Sequence, residues 1–148
     1  MRPALTGVSW YKRLVRPDAE QLASIPLFAS LTPEQLRAVA SLSELRDEES
    51  GAQLVGEDAP GYALFVLLEG TATVTSGDAA LAQLTSGDFF GEIALLGEGR
   101  RTATVTATTP VRLVVMHGSD FRVFERDWPE ASQLMRQAMA ERLERSGS

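Results

Sequence analysis

At 148 residues, 44% of them hydrophobic, the chain has the size of one compact domain and enough apolar material for a real core. A formal net charge of -6 at pH 7 excludes a general nucleic-acid surface, because phosphate-driven binding needs an excess of Lys and Arg to displace counterions. The absence of cysteine excludes a disulfide framework and any thiolate metal site, and makes a reducing cytoplasm the simplest compartment.

Met1 to Trp10 lacks the apolar block of a signal peptide, and no later stretch is apolar and long enough to span a bilayer. A soluble cytoplasmic protein is therefore expected. The N-terminal segment carries an aromatic and basic cluster, Trp10-Tyr11-Lys12-Arg13, to which the sequence assigns no role. Pro17 to Ser24 reads as a short helix closed by Pro26, so residues 1–24 form an N-terminal extension ahead of the main domain at 25–148. Next comes Thr32-Pro33-Glu34-Gln35, a capping hydroxyl, a Pro at the first helical position and an amide placed to reach back to the cap. It predicts a helix from about Pro33 to Ser41.

From about Leu45 the pattern changes to short apolar or alternating runs: Gln53 to Val55, Tyr62 to Leu68, Thr71 to Thr75, Leu81 to Leu84, Thr102 to Thr108 and Val111 to Met116. Turn signals at Gly56, Gly61, Gly70, Ser76-Gly77-Asp78, Ser86-Gly87-Asp88 and Pro110 separate them, which is how a small antiparallel sandwich or barrel reads. The last third returns to helix. Ser119 caps a predicted short helix at Asp120 to Arg126. Trp128-Pro129 then opens a longer one, whose Ala131, Leu134, Met135, Ala138, Met139 and Leu143 follow the spacing of one helix face. The plan is mainly β with flanking α-helices.

The segment with the most chemistry is Phe89-Phe90-Gly91-Glu92-Ile93-Ala94-Leu95-Leu96-Gly97-Glu98-Gly99-Arg100-Arg101-Thr102-Ala103-Thr104-Val105. Glu92 to Leu96 predicts one helical turn. Gly91 lets the backbone approach a ligand at its N-terminus, where free N–H groups and the helix dipole attract an anion. Val105 and Ala103 share apolar parity with Ala107, Val111, Leu113 and Val115, and following that alternation back turns Arg101 inward and Thr102 outward. An unpaired guanidinium in a low-dielectric interior costs several kcal/mol, so either Glu92 or a bound phosphate answers Arg101. Arg100 reads as a solvated loop charge.

This segment resembles the phosphate-binding cassette of the cyclic-nucleotide-binding domain, the module shared by catabolite-activator regulators, the regulatory subunit of cAMP-dependent protein kinase and cyclic-nucleotide-gated channels. The resemblance rests on Phe90-Gly91-Glu92-Ile93-Ala94-Leu95-Leu96 and Arg101-Thr102-Ala103-Thr104. It extends to Ile25-Pro26-Leu27-Phe28 with Leu31-Thr32, and to Gly61 through Gly70. It implies an antiparallel double-stranded β-helix (jelly-roll) barrel with N-terminal helices, a short cassette helix and C-terminal helices, occupying residues 25–148. It also implies a ligand, cAMP favoured and cGMP possible, with no further cofactor. Arg101 would then grip the cyclic phosphate as a planar donor fork. Glu92 would accept the ribose 2′-OH. Backbone N–H groups around Gly91, Ile93, Ala94 and Ala103, with the Thr102 hydroxyl, would complete the phosphate shell. Met135, Met139 and Arg142 are candidates for a lid over the purine, although packing is the commoner task for such methionines and a solvent-facing position for such an arginine.

Catalysis is not expected. The single histidine, His117, precedes Gly118, and no set of spaced His ligands exists for a metal. Neither a phosphate loop of the Gly-x-x-x-x-Gly-Lys type nor a Gly-x-Ser-x-Gly elbow is present. Regulators of the resembled family carry a helix-turn-helix after the long final helix, whereas this sequence stops at Ser148, so nucleic-acid binding is not expected of it. The effector protein or domain is unknown, and a homodimer is possible. The competing expectation is a degenerate barrel that serves as a protein-interaction module without nucleotide.

Overall fold

The computed structural model describes residues 15–55, 63–91 and 103–147. Two self-capped helices open it. In α1, Ala19–Ala23, the Asp18 side chain accepts from the Gln21 N–H while the Gln21 side chain accepts from the Asp18 N–H. In α2, Pro33–Ser41, Thr32 and Gln35 make the same reciprocal pair, at 3.1 and 2.9 Å. Each box satisfies two donors that a helix start otherwise leaves orphaned. Between the helices lies a 3₁₀ turn, Pro26–Phe28.

Eight strands follow among the described residues: β1 Glu44–Glu48, β2 Gln53–Val55, β3 Ala63–Glu69, β4 Ala72–Ser76, β5 Ala79–Leu84, β6 Phe89–Phe90, β7 Thr104–Ala107 and β8 Val111–His117. They form two antiparallel four-stranded sheets in the orders β1-β8-β3-β6 and β2-β7-β4-β5. Two helices end the chain, α3 at Gly118–Asp127 and α4 at Pro129–Gly147. The mainly antiparallel architecture with helices on its flanks is the one expected from the sequence.

The first sheet is buried on both faces. Phe65, Leu67, Phe90, Leu113 and Val115 point into the barrel, where they meet Val55, Ala72, Leu84, Val105 and Ala107 of the second sheet. Leu64, Val66, Phe89, Val114 and Met116 point the other way, into a second cluster with Leu22, Phe28, Val39, Phe121, Phe124, Met135 and Met139 from the helices. That double burial is why β3 reads Ala-Leu-Phe-Val-Leu-Leu without polar alternation. The inward parity expected of Val105, Ala107, Val111, Leu113 and Val115 is observed.

Three local expectations are corrected. β1 was not anticipated: Glu-Leu-Arg-Asp-Glu has one apolar residue, too few for an alternation signal at a sheet edge. The short β6 lies at the start of the segment that reads in the sequence as cassette. Helix α3 starts at Gly118, with His117 at the cap position and no side-chain cap bond, so Ser119 lies inside the helix.

Candidate functional site

The candidate site begins where β6 ends. β6 pairs with β3 through Phe65 opposite Phe90 and Val66 opposite Phe89. Phe90, 5% exposed, turns into the barrel and stacks on Phe65, with ring centroids 5.1 Å apart and planes 3° from parallel. Phe89 turns outward into the helix cluster. With its two aromatic residues buried on opposite faces, this short strand is fixed despite offering few ladder bonds.

Gly91 follows immediately with φ 84°, in the left-handed region where a Cβ meets the following carbonyl and costs roughly 1–2 kcal/mol. The glycine expected there for close backbone approach thus also meets a conformational need. At the far end of the segment, half-buried Ala103 leads into β7 of the other sheet. In sequence, the stretch between Gly91 and Ala103 therefore joins β6 of the first sheet to β7 of the second. Glu92, Ile93, Ala94, Arg100, Arg101 and Thr102 lie outside the described residues, as do the expected cassette helix, the inward turn of Arg101 and the outward turn of Thr102. The alternation from which those two turns follow is present from Val105 onward.

Among the described residues the barrel interior is apolar, and the buried polar residues are Ser43 and Ser132. Such an interior is compatible with the face of a purine, and no described residue in it offers a charge to an anion. Elsewhere, a depression at the sheet edge is lined by Asp47, Glu48, Glu49 and Glu69, with Arg112 already paired to Asp47 at 2.8 Å. Its acidic walls repel a phosphate. No group of His, Asp and Glu able to hold a metal ion occurs among the described residues, and none of their helices is long and apolar enough to cross a membrane.

Two of the three lid candidates lie apart from the interior. Met135 and Met139 are both 0% exposed and pack in the cluster on the outer face of the first sheet. Arg142 falls within α4, and its side chain is outside the described residues. The sequence reading missed what ties α4 down: Arg136 Nε donates to Glu125 Oε2 at 2.6 Å while the guanidinium lies 5.1 Å over the Phe121 ring, both partners on α3. It also missed Glu44, which accepts from Arg46 at 3.1 Å and lies 3.4 Å from His117 Nε2 at the barrel-to-helix junction. Burial raises the Glu44 carboxyl's pKa, but the Arg46 guanidinium and the His117 ring together outweigh it and hold it below the ordinary range. Nothing in the spacing of these residues announces either contact.

The chain matches the cyclic nucleotide-binding domain family over residues 46–126. It is 33% identical over 142 residues to a cyclic nucleotide-gated potassium channel of Mesorhizobium japonicum, covering 93% of this chain and 39% of the channel. It is 34% identical over 103 residues to a cAMP-dependent protein kinase regulatory subunit of Colletotrichum orbiculare, covering 68% of this chain and 26% of the subunit. Among solved structures it is similar to the catabolite activator protein of Thermus thermophilus, with a TM-score of 0.73 and 27% identity, covering 82% of this chain and 60% of that one. The chain thus spans well under half the length of the channel and the kinase subunit.

Proposed function

The chain belongs to the cyclic nucleotide-binding domain family, and we propose that this regulatory module binds cAMP, and cGMP less tightly, through residues 91–103. In this reading Arg101 grips the cyclic phosphate and Glu92 takes the ribose 2′-OH. The backbone N–H groups at Gly91, Ile93, Ala94 and Ala103, with the Thr102 hydroxyl, close the anion shell. The apolar face formed by Phe90, Val105 and their neighbours receives the base. Similarity to a kinase regulatory subunit named for cAMP favours that nucleotide.

The observation that carries the reading is Gly91 at φ 84°, held at the rim of an apolar barrel by the Phe65–Phe90 stack. Its backbone conformation is one that a site needing close approach of main-chain N–H groups uses. The nucleotide is the ligand and no further cofactor enters. Binding is coupled to the position of α4, with Met135, Met139 and Arg142 as its responsive residues, and the signal passes to an effector in the cytoplasm.

The direct test is calorimetric titration with cAMP and with cGMP, paired with thermal melting. Ligand at about 100 times its dissociation constant adds roughly 2.7 kcal/mol by linkage. Saturable heat and a rise in melting temperature, larger for cAMP, are expected. Absence of both at millimolar nucleotide overturns the reading.

A further inference from the structure

Strand β1 ends the order of the first sheet, with β8 on one side of it. Its other side is taken up in part by the segment that precedes α1: the Leu45 N–H donates to the Val15 carbonyl at 2.6 Å, and Arg16 Nη1 donates to the Ser43 carbonyl at 2.8 Å. Alternate residues of an antiparallel strand send their backbone groups to the same neighbour. Asp47 therefore directs its N–H and C=O away from β8, to the side where the Leu45 N–H points, and neither group has a backbone partner among the described residues. At Glu49 the edge ends, since that carbonyl accepts from the Ala52 N–H in a turn.

The side chains along this open stretch are acidic. Asp47, Glu48 and Glu49 line the depression at the sheet edge together with Glu69 of β3. The one cation lining it, Arg112, is bonded to Asp47 at 2.8 and 3.2 Å. Glu48, Glu49 and Glu69 form no salt bridge among the described residues. Like charges gathered on one edge repel one another, and cations brought beside them relieve that repulsion. The segment already seated on β1 carries such cations: residues 1–17 contain Arg2, Lys12, Arg13 and Arg16 and no acidic residue, although the whole chain has a net charge of -6.

The direction of that segment follows from its exit. Beyond Val15 it passes Ser43 and enters α1, which packs on α2 ahead of β1, so it runs opposite to β1. With Val15 opposite Leu45, each step back along the segment is a step forward along β1. Arg13 then falls opposite Asp47, Lys12 opposite Glu48, and Tyr11 opposite Glu49 where the edge ends. We infer that residues 11–14 dock in this register as a further antiparallel strand on the β1 edge, with Lys12 and Arg13 laid over the acidic depression. Aromatic Tyr11 and branched Val15 suit such a strand. Directly opposed residues of an antiparallel pair share a face, as Asp47 and Arg112 do across β1 and β8. Asp47 is thereby set between two guanidiniums, and its free N–H and C=O gain the Arg13 backbone. The Leu45–Val15 bond sets the register and charge complementarity selects the occupant. Exposed ion pairs are individually weak, so backbone pairing holds the strap in place.

The test uses the full chain without nucleotide, so its outcome is independent of the function proposed above. Because the chain has no cysteine, thiols can be placed in pairs. In this register Lys12 and Glu48 form a non-hydrogen-bonded pair, with Cα atoms about 4.5 Å apart, within reach of a disulfide. The double variant Lys12→Cys, Glu48→Cys should close an intramolecular disulfide under mild oxidant about tenfold or more faster than Lys12→Cys, Gln83→Cys, whose second thiol lies on β5 of the other sheet. Hydrogen exchange at the Asp47 amide gives the second measurement. The parent amide should be protected, and Arg13→Glu or raised salt should speed its exchange about two- to fivefold, the range of exposed ion pairs. Lys12→Glu and Glu48→Lys should each speed it as well, and the two combined should restore protection, a recovery that a general loss of fold does not imitate. Equal oxidation of the two thiol pairs, a disulfide that links two chains, an unprotected Asp47 amide in the parent, or no recovery in the charge-swapped variant would each overturn the proposal.

Discussion

Phe65 and Phe90 lie face to face across neighbouring strands, 5.1 Å between ring centroids and 3° from parallel, and the residue after Phe90 is the left-handed Gly91. The stack thus sets where the chain leaves the first sheet at Gly91. Phe90→Ala should destabilise the protein by about 3–5 kcal/mol, as expected for a buried Phe leaving a cavity, measured by denaturant unfolding. The milder Phe90→Leu keeps the fold and should weaken nucleotide binding by shifting Gly91. A loss under about 1 kcal/mol in Phe90→Ala would show that the stack does not anchor the rim.

Gly91→Ala should cost roughly 1–2 kcal/mol of stability, because φ 84° places its new Cβ against the following carbonyl. Its nucleotide affinity should fall further than that strain accounts for, if main-chain N–H groups at this turn face the phosphate. Gly77→Ala is the matched control. It also has positive φ, 58°, but its added Cβ meets nothing within 4 Å, and it lies at a hairpin turn remote in sequence from the rim. Equal affinity losses in the two variants would remove Gly91 from the site.

For the charged anchors, truncating one partner of a buried charge-assisted contact costs about 2–5 kcal/mol, or roughly 30-fold to several thousand-fold in affinity. Arg101→Ala should nearly abolish cAMP binding in calorimetry. Glu92→Ala should weaken it and erase the preference over the 2′-deoxy nucleotide. Continued discrimination against the deoxy analogue in Glu92→Ala would assign the ribose contact elsewhere.

Much of this framework was legible because local rules and tertiary packing agree. Thr32 and Gln35 carry their capping box in the sequence and form it in the structure, and the parity of Val105 to Val115 is the parity of the barrel interior. β1 was hidden because Glu44, Arg46 and Asp47 find partners in one another, in His117 and in Arg112 across the sheet rather than through apolar alternation. The Phe65–Phe90 stack and the Arg136–Glu125 pair join residues 25 and 11 positions apart. Contacts of that kind follow from register and helix packing, which single-sequence periodicity does not specify. Of the candidate site, Gly91 and Ala103 lie among the described residues, whereas the charged residues between them rest on the family motif.

Acid stability offers a separate check. Arg46 and His117 hold Glu44 below its ordinary pKa against the opposing effect of burial. A carboxyl depressed in the folded state contributes stability that is fully present above its unfolded pKa, about 4.3, and is lost as pH falls through the lower folded value. Arg112 likewise lowers Asp47, but that side chain is 67% exposed against 23% for Glu44, so solvent screens its share. Glu44→Gln should therefore reduce stability at neutral pH and flatten the decline below about pH 4, and Asp47→Asn should do so less. Parallel pH profiles for the parent and Glu44→Gln would show that this carboxylate is not a coupled group.

The last prediction concerns α4, because its attachment sets what a ligand has to change. Met135 and Met139 are fully buried against the first sheet's outer face and the other helices, so Met139→Ala should cost about 2–5 kcal/mol. Yet methionine side chains repack readily, and a polar tie between α4 and α3 among the described residues is the Arg136 side chain on Glu125 and Phe121. A nucleotide shifts the helix only by its differential affinity for two arrangements. If α4 closes over the bound base, ligand should slow hydrogen exchange at the amides of Leu134 to Leu143. Arg136→Ala, which removes this tie to α3 while leaving the apolar packing and residues 91–103 intact, should change nucleotide affinity by up to about tenfold, about 1.4 kcal/mol. Its sign is informative: tighter binding means the tie holds α4 in the unliganded arrangement, and weaker binding means the tie belongs to the closed one. Unchanged exchange together with unchanged affinity would make α4 a fixed part of the core and leave residues 91–103 as the ligand-responsive element.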